Sequence, residues 1–135
     1  MIPLFNDNGY LPPGIHPATL DEIAERFGQE SEVRRAQMES LHWLIDLARR
    51  AGVERIVING SFVTDTLEPN DVDCVLLSIP NFPHDEAAAA EIEDGLPFLQ
   101  IDLAERADFD VMVQNVFASD RFLVPKGMIE VIQWS

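Results

Sequence analysis

Hydrophobic positions repeat at helical spacing in the first third of the chain and at strand spacing afterwards. Thr19 and Glu22 stand three apart around the apolar set Leu20, Ile23, Ala24 and Phe27. This is a capping box opening an amphipathic helix, and Gly28 closes it. A second helix is predicted from Ser31, with Leu41, Leu44, Ile45, Ala48 and Ala51 at three- and four-residue spacing and a stop at Gly52. Beyond Gly52 the pattern turns to β-branched runs. Arg55 to Ile58 reads as a short buried strand running into Asn59, Gly60 and Ser61, and Val72 to Leu77 reads as another. Pro80 and Pro83 end that run, and Asp85 to Glu93 reads as a surface helix closed by Gly95. Phe109 to Val113 is the third predicted strand. Met128 to Trp134 is the fourth, with Pro125 and Gly127 marking the turn before it.

Residues 1–17 carry Pro3, Pro12, Pro13 and Pro17 together with Gly9 and Gly14. Proline at this density predicts an extended arm without regular hydrogen-bonded structure. Residues 18–135 then form a single domain, and 135 residues that are 47% hydrophobic can bury a core without disulfide or metal staples. The expected fold is α/β (α+β), a small mixed sheet of about four strands packed against two N-terminal helices and one further helix.

Charge narrows the choice of partners. Twenty-four Asp and Glu against nine Lys and Arg give a net charge of −15, and Lys126 is the only lysine. Nucleic acid duplexes are held largely through cationic contacts to phosphate, so the balance argues against a long nucleic acid. It suits a cation, a metal-complexed small anion or a basic protein. The single cysteine, Cys74, excludes an internal disulfide framework and a multi-cysteine zinc site, and points to a reducing cytoplasm. No apolar run approaches the roughly 20 residues of a membrane span, and the start of the chain has no basic, apolar leader. A soluble cytoplasmic protein without membrane association is expected.

The chemistry sits between Gly60 and Asp73. A strand enters a Gly60-Ser61 turn, and Asp71 and Asp73 follow at spacing two on the next strand. Alternation places both carboxylates on one face and Val72 and Cys74 on the other. Neighbouring carboxylates repel, and a divalent cation reverses the sign of that interaction. Magnesium is commonly held by one or two carboxylates together with substrate phosphates. Gly60 allows a phosphate close approach to the backbone, and Ser61 offers an N–H and a hydroxyl. Taken singly, Gly60-Ser61 reads equally as an ordinary turn and the aspartates as a solvated strand face. Asp65 and Glu68 read as surface turn residues, and His42 with Trp43 as helix residues beside the core. His16, His42 and His84 lack metal-ligand spacing, and no P-loop, serine elbow or dinucleotide fingerprint occurs.

At Ile58, Gly60, Ser61, Asp71, Val72 and Asp73 the chain resembles the nucleotidyltransferase superfamily of DNA polymerase beta, and within it the minimal nucleotidyltransferases of bacteria and archaea. The spacer is short, and Pro69 precedes the aspartate pair as in many minimal members. The resemblance covers roughly residues 40 to 115. Leu11 to Pro17 also resembles the start of an uncharacterised family of short nucleotidyltransferase-like proteins.

The resemblance implies a third carboxylate on a later strand. Asp110, flanked by Phe109 and Val111, is the first candidate; Asp108 is the second and Asp102 the third. It further implies transfer of a nucleoside monophosphate from a nucleoside triphosphate to a protein, RNA-end or small-molecule acceptor, with two Mg2+ ions. Asp71, Asp73 and Asp110 would then be metal-holding and catalytic, Asp110 also taking the acceptor proton, while Gly60, Ser61 and Lys126 would bind the nucleotide. A toxin–antitoxin or defence pair, with a partner protein from a neighbouring gene, is the implied setting. One departure stands out, because Phe62, Val63 and Thr64 occupy positions where minimal members carry Arg or Lys. Arg121 and Lys126 are the candidates to replace those charges. The same departure suits an alternative, a catalytically inactive, antitoxin-like module of this fold that docks a basic protein.

Overall fold

The computed structural model describes residues 2–116 and 118–134. Local capping chemistry sets the three larger helices. Helix α1, Leu20–Phe27, opens with the Thr19 hydroxyl accepting from the Glu22 N–H at 3.2 Å while the Glu22 carboxylate accepts from the Thr19 N–H at 2.9 Å. Helix α2, Glu32–Ala51, is capped by Ser31 and ends at Gly52 in the left-handed region. Helix α3, Glu86–Asp94, runs from an Asp85 cap to Gly95. These boundaries agree with the predicted ones, since each depends on a few adjacent side chains. No helix among the described residues is long and apolar enough to cross a membrane.

Five strands make one mixed sheet: β1 Gly14–Thr19, β2 Val53–Asn59, β3 Val72–Ser78, β4 Leu99–Ala104 and β5 Gly127–Ile132, in the order β1-β5-β2-β3-β4. The β1/β5 and β3/β4 pairs are parallel, whereas β2 runs antiparallel to both neighbours. One face packs on α1, α2 and α3 through Leu41, Leu44, Ile56, Ile58, Cys74 and Ile129. The other carries Val57, Val75, Leu77 and Met128 under helix α4, Arg106–Val111, and the wider turn that follows it, Met112–Val116.

Three expectations need correction. Phe109 to Val113 is not a strand but the end of α4 and the start of the next turn. Phe109 and Val113 are both buried four positions apart, which is helical spacing, while Val111 between them is 53% exposed. Strand β4 was not expected, although Leu99, Ile101 and Leu103 alternate with Gln100, Asp102 and Ala104 as a half-buried strand should. The proline-rich arm ends in a strand as well. Because β1 lies at the sheet edge, Pro17 is tolerated opposite Glu130. Ahead of it Leu11 is fully buried. The sheet thus has five strands instead of four, and there is a fourth helix. His42 and Trp43 do lie on α2, but on its exposed side.

Strand direction fixes where chemistry can gather. Since β2 is antiparallel to its neighbours, its C-terminal end lies beside the N-terminal ends of β3 and β5, and β4 and β1 start at that same edge.

Candidate active site

Strand β2 delivers Asn59 and Gly60 to this edge, and a single 3-10 turn, Ser61–Val63, follows. Asn59 pairs in register with Asp73 of β3, and alternation puts both on the α4 face with Val57 and Val75. Gly60 has φ +80°, and a Cβ there would run into Asp73 Oδ2. Two independent reasons therefore require glycine: the backbone conformation, and a carboxylate pressed against the Cα. The Asn59 side chain is 1% exposed, and neither its amide nitrogen nor its oxygen has a hydrogen-bond partner.

Burial is the main force raising the Asp73 carboxyl above its ordinary range. Lys126 opposes it, and the charges of Asp71 and Asp102 add to it. Asp71 is exposed one residue before β3. Asp102 lies on β4 on the same face as Ala104, next to β3, with Gln100 opposite Asp73. The third carboxylate whose charge reaches Asp73 is thus Asp102, the last of the three sequence candidates. Asp110 is on α4, not on a strand, and its charge bears on Arg55, which forms a forked pair with Glu130 at 2.9 and 2.7 Å. Asp108 is exposed on the same helix. Cys74 faces the opposite core, where burial pushes its thiol far up.

Helix α2 holds the segment between Ser61 and Asp71. The buried Arg34 guanidinium donates to the carbonyls of Phe62 (2.8 Å), Thr64 (2.9 Å), Thr66 (3.1 Å) and Phe27 (3.0 Å). Gln37 donates to the Pro69 carbonyl. The N-terminal arm braces it from outside, with the Asp65 N–H donating to the Gly9 carbonyl at 3.0 Å. Sequence reasoning passed over Asn59, Arg34 and Gln37. For the last two a signal existed, because Arg34 and Gln37 stand at helical spacing from Leu41 on the apolar stripe, where a polar side chain needs a buried partner.

Residues 3–132 match a family of unknown function, DUF6932. The chain belongs to the DUF6932 family. No curated protein and no solved structure matches it.

In this DUF6932 chain the donors at the sheet edge decide whether magnesium suits the site. Among the described residues, no three Asp, Glu, His or Cys side chains form a ready-made cage for a metal ion. The groups that share this end and face of the sheet are hard oxygens: the half-buried Asp73, Asn59 in register with it, and Asp102 on β4, with the exposed Asp71 one residue before β3. Magnesium needs few protein ligands when phosphates and water complete its octahedron. The donor set therefore fits an ion that arrives with a phosphate-bearing ligand, and does not fit one caged by protein alone. A cleft of about 650 Å³ lies at the opposite end of the sheet, by Leu77, Ser78 and Phe82, where the charged pair Glu54–Arg106 is already joined.

Proposed function

We propose that this protein is a magnesium-dependent nucleotidyltransferase that moves a nucleoside monophosphate from a nucleoside triphosphate to a protein, RNA-end or small-molecule acceptor. The observation that carries this reading is the packing of the Asp73 carboxylate on Gly60, with Asp102 adding its charge from the adjacent strand. The Gly60-Ser61 turn and two carboxylate-bearing strands meet at one end of the sheet.

Asp73 would hold the magnesium, with the charges of Asp71 and Asp102 drawing it in and Asn59 Oδ1 as a neutral oxygen beside Asp73; bound there with its nucleotide, the metal would supply electrostatic stabilisation of the transferring phosphate. Gly60 would admit the phosphates to the backbone, and the half-buried Ser61 would offer them its N–H and hydroxyl. Lys126 offsets phosphate charge from the β5 side. Asp102, which replaces Asp110 in this role, accepts the proton of the acceptor hydroxyl.

Calorimetry with each nucleoside triphosphate and magnesium, followed by transfer of an α-labelled nucleotide in a cell lysate, tests the reading. Asp73→Asn and Asp102→Asn are expected to abolish labelling while Asp110→Asn retains it. Full labelling by Asp73→Asn would remove the mechanism. Binding without any transfer would favour the alternative of an inactive binding module.

A further inference from the structure

Seven of the nine cationic side chains are engaged. Every arginine up to Arg106 bonds a carboxylate or a backbone carbonyl. The remaining two, Arg121 and Lys126, have no side-chain hydrogen bond or ion pair among the described residues. Arg121 instead lies 5.0 Å from the centre of the Phe122 ring, and Lys126 attracts Asp73 and Asp120 from a distance. Both stand in the segment that leads into β5 at the Asp73 end of the sheet.

That segment is built, not slack. Ser119 and Pro125 pair as an isolated bridge, and Asp120 Oδ1 accepts from the N–H groups of Phe122 (2.8 Å) and Val124 (3.0 Å). Its other oxygen accepts from the Tyr10 hydroxyl at 2.7 Å, tying the segment to the N-terminal arm. Leu123 is held at φ +65°, an uncommon conformation for a branched side chain. The outcome is a fixed tip with Phe122 74% and Leu123 81% exposed.

An exposed aromatic ring with Arg121 against it and Lys126 in the same short segment, in a protein of net charge −15, matches a ligand that is both flat and anionic. Two cations suffice for one short polyphosphate and would not hold a long nucleic acid against the remaining charge. We infer that residues 118–126 form the nucleotide clamp of the site, with Lys126 taking phosphate charge and Phe122, flanked by Arg121, stacking on the base. This rests on the nucleotidyltransferase reading.

The test compares magnesium complexes of a nucleoside triphosphate and of inorganic tripolyphosphate, which lacks a base, by calorimetry on the full chain. Phe122→Ala is expected to weaken the nucleoside triphosphate about tenfold and leave tripolyphosphate unchanged. Lys126→Met is expected to weaken both, and Phe122→Trp to keep nucleotide affinity and lose tryptophan fluorescence on binding. Equal affinities for the nucleotide in Phe122→Ala and wild type would overturn the clamp while leaving the nucleotidyltransferase reading intact. Equal weakening of both ligands by Phe122→Ala would also overturn it, as would a change only in self-association. A wild-type chain that binds neither ligand would remove the nucleotide reading and the clamp together.

Discussion

The carboxylate of Asp73 occupies the space that a side chain at residue 60 would need. Gly60→Ala must therefore displace Asp73 and also hold alanine at φ +80°. The expected loss is about 1–3 kcal/mol of stability, together with loss of nucleotide binding. Denaturant unfolding and calorimetry on the same variant measure the two effects.

Asp73 is held partly out of water beside two other carboxylates, so its charge opposes folding in the absence of cations. Its folded pKa lies above the unfolded one, and stability is accordingly lost as pH rises through the folded value. Asp73→Asn removes that cost. Its melting temperature at neutral pH, measured without added magnesium, is expected to rise by a few degrees, while its transfer activity with magnesium present disappears. A melting temperature at or below that of wild type would contradict the electrostatic account.

Asn59 predicts a similar pairing of gain and loss from a different cause. Replacing an unpartnered buried amide by an apolar side chain of similar size, as in Asn59→Leu, removes a desolvation cost of about 1–3 kcal/mol. The variant is expected to be at least as stable as wild type yet to bind magnesium-nucleotide more weakly. Thermal melts and calorimetry separate these outcomes.

Arg34 serves four carbonyls from one guanidinium. Arg34→Met leaves those of Phe27, Phe62 and Thr64 buried without this donor, and a loss of about 3 kcal/mol or more is expected in urea unfolding. Arg34→Lys should recover only part of this, since an ammonium has three donors and no planar fork.

The Tyr10–Asp120 contact should persist across the neutral range. The Tyr10 hydroxyl is the main cause lowering the Asp120 carboxyl, followed by the Val124 N–H. Its contribution is present above the unfolded pKa and lost as pH falls through the depressed folded value. For Tyr10, raised chiefly by the same hydrogen bond, the contribution is lost as pH rises through a folded value above the ordinary tyrosine range. In Tyr10→Phe the Asp120 titration, followed by carboxyl NMR, is expected to move upward.

What could be read from the sequence was what neighbouring residues decide. Thr19 with Glu22, Ser31 with Gly52 and Asp85 with Gly95 mark helix ends through contacts within a turn. Gly60 and Asp73 were also legible, because a positive-φ glycine and a strand-borne carboxylate leave local marks. Phe109 and Val113 satisfy both a two-residue and a four-residue period, so only the exposure of Val111 separates helix from strand. That ambiguity placed Asp110 on a strand, whereas it lies on α4 and the strand-borne carboxylate is Asp102, whose own strand alternates cleanly. Asn59 and Arg34 escaped notice for another reason. Their roles depend on groups from distant segments, and no window of sequence displays those.

Strand β1 has a single neighbour in the sheet, and that neighbour is β5, Gly127–Ile132, far along the chain from it. During synthesis, residues 14–19 have no ladder to join until residues 127–132 have emerged. The edge that gathers Gly60, Asp73 and Lys126 is completed only once β5 has joined the sheet, so a chain cut before residue 126 lacks its cation-bearing side.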